Sequence, residues 1–293
     1  MRLPIFTSAS ASDLAKQIDY FALGDSVASG LGLFDDGTPC RRSAESYPWL
    51  VLQGLETQYE VQNFGFFACS GTTSESLGEQ VTQVLKNLSD RPTLVSLTVG
   101  ANDLGWARLL LQPFARKLCN PNEDEFLRWV DQITRWIDDN LVHWLRQFLG
   151  HHNIEIVLTD YYNPTNSSGV FWVVMDRSGT CAGLASLGGA GAIYERTEHV
   201  VHSLNFALTR AWIRLGRPER VHLASIHSSF HGHESPHPTC GTAPPDFSQT
   251  WIQYIGDPDS NATFGTGDCF HPNRTGAHAY ADAVIAIVLP VGR

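Results

Sequence analysis

The chain has 293 residues, 43% of them hydrophobic and 17% charged, with a formal net charge of -10. That composition excludes a disordered chain. The acidic balance, with no Lys/Arg-rich run, argues against nucleic acid and anionic membranes as partners. Taken in chain order, residues 19–23 (DYFAL) are short, apolar and bounded by Gly24-Asp25, which predicts a buried strand. A helical pattern follows near 44–56, then a second strand at 59–64 (YEVQNF) and a helix at 74–88. The β-branched run 93–99 (TLVSLTV) ends in Gly100 and is the clearest strand. In 124–149, Phe126, Leu127, Val130, Ile133, Trp136, Ile137, Leu141, Trp144, Leu145 and Phe148 recur at three- and four-residue steps. This predicts a long helix with its tryptophans in the core. Strands at 154–160 (IEIVLTD) and 220–226 (RVHLASI) flank a helix at 192–215, and a last helix covers 275–289.

Strands alternating with helices imply a parallel sheet covered on both faces, with ligands bound at the carboxyl ends of its strands. Two segments are irregular, 161–190 and the Pro/His/Gly-rich 227–269, and loops this long are usually functional. No repeat or linker divides the chain. The expectation is a single domain over 1–293 and a monomer, with 1–18 an N-terminal extension or tag remnant and 227–269 a long loop near the active site. No apolar run reaches the about 18 residues a membrane span needs, so no stable membrane insertion is expected.

The six cysteines (Cys40, Cys69, Cys119, Cys181, Cys240, Cys269) include no CxxC pair, which argues against zinc. Their even number and wide spread suggest three disulfides and an oxidising compartment, against the alternative of buried free thiols. Sequons at Asn87, Asn166, Asn261 and Asn273 fit a secreted glycoprotein. The N-terminus lacks a signal-peptide apolar core. A secreted mature form, whose leader has been replaced by Met1, reconciles these signs.

Four short segments stand just after predicted strands or before the last helix: GDSVASG (24–30), ACSGTT (68–73), VGANDLGW (99–106) and DCFHPNRTGAHAYAD (268–282). A hydrolytic site needs a nucleophile, a base, a group to orient the base, and donors for the oxyanion. Ser26 sits at a strand-to-helix transition where its hydroxyl can be exposed; alternatively it is a helix N-cap. Ala28 stands where a GxSxG elbow would need Gly. His271 can accept the serine proton, and Asp268, three residues earlier, can fix the imidazole tautomer. The Asn102 amide and the Gly71 N–H can donate to an oxyanion, although both residues also suit ordinary turns.

In order and context, GDS, ACSG, GAND and DxxHP resemble the blocks of the SGNH (GDSL-type) hydrolase superfamily, over about residues 19–289. PC-R at 39–41, SYPWL at 46–50 and ACSG at 68–71 are similar to its secreted, disulfide-containing esterases and lipases of actinomycete type. The resemblance implies an α/β fold of SGNH/flavodoxin-like type, a three-layer α/β/α sandwich with a five-stranded parallel sheet and long disulfide-tethered loops. It implies Ser26 as nucleophile, His271 as base and Asp268 as orienter. The oxyanion hole would be the N–H groups of Ser26 and Gly71 and the Asn102 amide, with Gly65 a weaker rival to Gly71. Asp25 belongs to the motif without a catalytic role. The implied disulfides are Cys40–Cys69, Cys119–Cys181 and Cys240–Cys269.

His227, His231, His233 and His237 lie within SIHSSFHGHESPHP, where HxH beside Glu234 suggests a metal. The preferred reading is a polar histidine-rich loop with no metal. The expected function is a secreted carboxylic-ester hydrolase acting without cofactors on a small-molecule or lipid/sugar ester. The alternatives are an acyltransferase or carbohydrate deacetylase with the same site, or a non-catalytic binding protein on this fold.

Overall fold

Continuous apolar runs bounded by turn residues can be satisfied only inside a sheet covered on both faces, and that is where they lie. In a computed structural model, which describes residues 17–105, 117–164, 190–233, 250–253 and 270–289, five strands form one parallel sheet. They are β1 (Gln17–Gly24), β2 (Glu60–Phe66), β3 (Thr93–Thr98), β4 (Ile154–Thr159) and β5 (Val221–Ala224), in the order β2-β1-β3-β4-β5. Every residue of β3 and β4 is buried, whereas β2, at an edge, is mostly half-exposed.

Seven helices are described: α1 (Ser26–Ser29), α2 (Tyr47–Glu56), α3 (Leu77–Asn87), α4 (Glu123–Leu149), α5 (Ala190–Arg214), α6 (His227–Phe230) and α7 (Arg274–Val288). The chain runs from β1 outward to β2, then returns across the sheet to β3, β4 and β5. Right-handed crossovers therefore put α2 on one face and α3, α4 and α5 on the other. Accordingly α2 packs on α7, and α4 packs on α3 and α5. This is the expected three-layer sandwich. The strand order reverses between β1 and β3, which opens a crevice at their carboxyl ends.

Three expectations change. Gln17 and Ile18 belong to β1, so neither is part of an extension outside the fold. Sheet pairing pulls them in: Gln17 lies opposite Glu60, and Ile18 is fully buried. Trp136 is 47% exposed and Leu127 41%, so neither is core. The buried stripe of α4 runs through Phe126, Val130, Thr134, Ile137, Leu141, Leu145 and Phe148, and Trp136 falls out of phase with it. Trp144 does pack inward, and its indole N–H donates to the Ser74 carbonyl at 2.9 Å. Asn273 cannot serve as a glycosylation acceptor in the folded protein: it is only 7% exposed and both ends of its amide are engaged. The sequons at Asn166 and Asn261 lie outside the described residues.

The Cys40–Cys69 disulfide is present. Cys119 is also disulfide-bonded, but Cys181 and the Cys240–Cys269 pair lie outside the described residues.

Candidate active site

The turn that carries Ser26 begins where β1 runs out. Gly24 has φ 129°, and a Cβ there would lie 2.1 Å from the Thr98 carbonyl oxygen, so glycine is required. Asp25 follows, and its carboxylate accepts from the Val27 N–H at 3.0 Å, making Asp25 the N-cap of α1. Ser26 is therefore the first residue of the helix and not its cap. Its hydroxyl is released from capping, and its N–H is among the first-turn donors that have no partner within a helix.

Gln80 clamps this turn from α3. Its Oε1 accepts from the Gly24 N–H at 2.7 Å, and its Nε2 donates to the Gly24 carbonyl and the Thr72 hydroxyl, each at 2.9 Å. Beneath the turn Asp25 is fully buried. Burial raises its pKa from 3.8 to about 7, against the opposing effect of hydrogen bonds from the Tyr161 hydroxyl and the Val27 N–H.

The residue facing Ser26 comes from the other end of the chain. His271 Nε2 stands 2.7 Å from Ser26 Oγ, and both residues are nearly buried. A short antiparallel bridge between Ile252 and Pro272 carries the histidine, with Gln253 N–H donating to the His271 carbonyl and Asn273 N–H to the Trp251 carbonyl, each at 2.9 Å. One residue further on, Asn273 caps α7 by accepting from the Gly276 N–H at 3.0 Å. Asp268, the expected orienter, lies outside the described residues.

Asn102 faces the same pocket as Ser26 and His271. Its side-chain amide donates to the Thr72 carbonyl at 3.0 Å, which aims the group and leaves its second N–H for a ligand. The next residue, Asp103, accepts from the Ser74 N–H at 2.8 Å and the Ser74 hydroxyl at 2.6 Å, pinning the turn after β3 to the turn after β2. Gly71 sits on that second turn with φ 88°, exposed, and its N–H has no partner among the described residues. It does not belong to the pocket wall itself. The Cys40–Cys69 bridge and a Ser70 N–H bond to the Cys40 carbonyl at 3.1 Å tie down this turn. Gly65 is a packing glycine within β2, where a Cβ would strike the Phe21 ring at 2.4 Å.

Val27, Ala101, Tyr162, Pro164, Leu204 and Phe270 make the rest of the pocket largely apolar. Of the aromatic and apolar residues near the motifs, Phe66, Phe67 and Leu104 pack into the core instead, and Trp106, Phe171 and Trp172 lie outside the described residues. Motif reading gave no role to Gln80, Tyr161 or Ser74. The available signal was a pair of motif acids, Asp25 and Asp103, that need buried donors once they stand at strand ends.

The sequence profile of the GDSL-like Lipase/Acylhydrolase family matches residues 22–279. A lipase of Streptomyces rimosus is 41% identical over 106 residues, which is 34% of this chain and only 37% of that relative's length. Two solved structures share the fold: phospholipase A1 from Streptomyces albidoflavus NA297 (TM-score 0.60, 20% identity, covering 92% of this chain and 98% of that one) and an extracellular lipase from Streptomyces rimosus (TM-score 0.60, 23% identity, covering 92% and 99%). With a family profile that covers most of the chain and reaches all four motif blocks, and a matching fold, the chain belongs to the GDSL-like lipase/acylhydrolase family.

Proposed function

We propose that the protein is a serine carboxylic-ester hydrolase whose nucleophile is Ser26. The observation that carries this reading is the 2.7 Å contact between Ser26 Oγ and His271 Nε2 at an apolar pocket that Asn102 also faces. In the proposed reaction Ser26 Oγ attacks the ester carbonyl carbon, and His271 Nε2 takes the hydroxyl proton. The carbonyl π pair moves to oxygen and meets the Ser26 N–H, the Gly71 N–H and the Asn102 amide. On collapse the alkoxide leaves and His271 returns the proton to it. Water, deprotonated by the same imidazole, then releases the acid and frees Ser26. Asp268 holds the imidazole tautomer from the far ring nitrogen. No step needs a metal or cofactor.

The apolar wall favours the acyl chain of a lipid or simple ester over a polar glycan. The Cys40–Cys69 disulfide supports an extracellular setting, as does the likeness to the extracellular lipase from Streptomyces rimosus. In the test, Ser26→Ala should lower hydrolysis of a p-nitrophenyl ester at least about 10⁴-fold with an unchanged melting temperature. Near-wild-type turnover in that variant refutes the assignment.

A further inference from the structure

In the histidine-rich stretch after β5, two of the described imidazoles take different surroundings. His233 lies flat on Trp251, with ring centroids 3.9 Å apart and planes 3° apart. His227, at the start of α6, turns instead toward α5. There Glu198 and His202 stand one helical turn apart on one face. His202 Nε2 is 3.4 Å and His227 Nε2 3.6 Å from the same oxygen, Glu198 Oε2. The candidate donor atoms of the three residues all lie within 4.8 Å of one another.

Simple ion pairing does not account for how this carboxylate is arranged. Its other oxygen, Oε1, accepts from Asn163 Nδ2 at 2.8 Å and the Tyr194 hydroxyl at 3.1 Å. Those bonds fix the plane of the carboxylate and leave Oε2 for the two imidazoles. Hydrogen-bonded carboxylates of this kind are typical where a ligand is oriented for a metal. A tetrahedral ion with ligands at about 2.1 Å has ligand–ligand edges of about 3.4 Å, close to the two separations seen. Two imidazoles and one carboxylate suit a borderline ion such as zinc.

We propose that Glu198, His202 and His227 bind a divalent transition-metal ion, with zinc the best match, and that the ion clips α5 to the start of α6. Coordination uses the carboxylate and the lone pairs of neutral imidazoles, and a fourth position is open to water. The clip also reaches the pocket wall. Asn163, which orients Glu198, lies between Tyr162 and Pro164, and the Tyr162 hydroxyl donates to the Phe270 carbonyl at 2.5 Å, beside His271. The ion is placed to stiffen that wall and takes no part in the ester chemistry.

The full chain, stripped of metal by a chelator, is titrated with zinc chloride at neutral pH and followed by calorimetry and thermal melting. The expected result is one zinc per chain and, at about 100 times the dissociation constant, a melting temperature raised by roughly 5 °C or more. His202→Ala, on an exposed position of α5, should fold as the wild type does, weaken binding at least about 10-fold and cut the rise at the same zinc concentration to about half or less. Glu198→Gln should do the same. Equal zinc affinity in His202→Ala and wild type would place the ion on other histidines and overturn the proposal. The absence of binding heat and of any melting shift in the wild type would also overturn it.

Discussion

The two halves of the reacting pair reach the pocket by different routes. Ser26 stands on a turn built into the core: Gly24 is wedged against Thr98, Gln80 holds both of its backbone polar groups, and buried Asp25 closes the turn by capping α1. His271 hangs from a two-residue bridge to the 250–253 segment and from the cap of α7. The position of Ser26 is thus a property of the sheet, and disturbing it should cost stability. Among the described residues, the position of His271 rests on local bonds, so disturbing it should cost rate before it costs stability.

The largest expected effect breaks the first half of that contrast. Gly24→Ala forces a Cβ onto a backbone carbonyl at a φ that disfavours any side chain. It should cost more than about 4 kcal/mol, read from the shift in urea midpoint. A loss under about 1 kcal/mol would mean that the turn is not locked to β3.

The next effect concerns pH. The folded-state pKa of Asp25 is raised, from 3.8 to about 7. Between those values the native state holds a proton that the unfolded chain has lost, so stability falls as pH rises across the window. Below it both states are protonated. Above it both are ionised and the full cost remains. Asp25→Asn should remove this slope, worth about 4 kcal/mol between pH 4 and pH 8. Parallel urea curves for the two proteins at both pH values would contradict it.

The smallest effect sharpens the second half. Asn273→Ala removes the cap of α7 and should cost about 1–2 kcal/mol. Because Asn273 is two residues from the base, kcat on a short-chain ester should fall further than that stability loss explains, with KM nearly unchanged. Unchanged kcat would show that the cap of α7 does not help to hold His271.

The same contrast explains how much could be read from the sequence. All five strands were legible: β1 and β3 as apolar runs ended by a glycine, as in TLVSLTV before Gly100, and β2, β4 and β5 as short segments in which apolar and polar residues mix. Ser26, His271 and Asn102 were legible because they sit in short motifs next to those strands. Gln80 was not: it lies on an amphipathic helix, 56 residues from the glycine it binds, and nothing local distinguishes it from a surface glutamine. Tyr161 lies in a segment read as irregular, 136 residues from Asp25. The α6 turn was hidden because four residues carry too little periodicity to register. Trp136 misled because three- and four-residue steps admit residues on either side of the true stripe, and only the position of α5 and the sheet decides which side is buried.

Whether Ser26 is a nucleophile activated by His271 is decided by intact-mass and peptide mapping after treatment with a fluorophosphonate probe. One adduct per chain is expected, on the hydroxyl of Ser26, absent in Ser26→Ala and slowed at least about 100-fold in His271→Ala. An adduct on another residue, or labelling at the wild-type rate without His271, would contradict it.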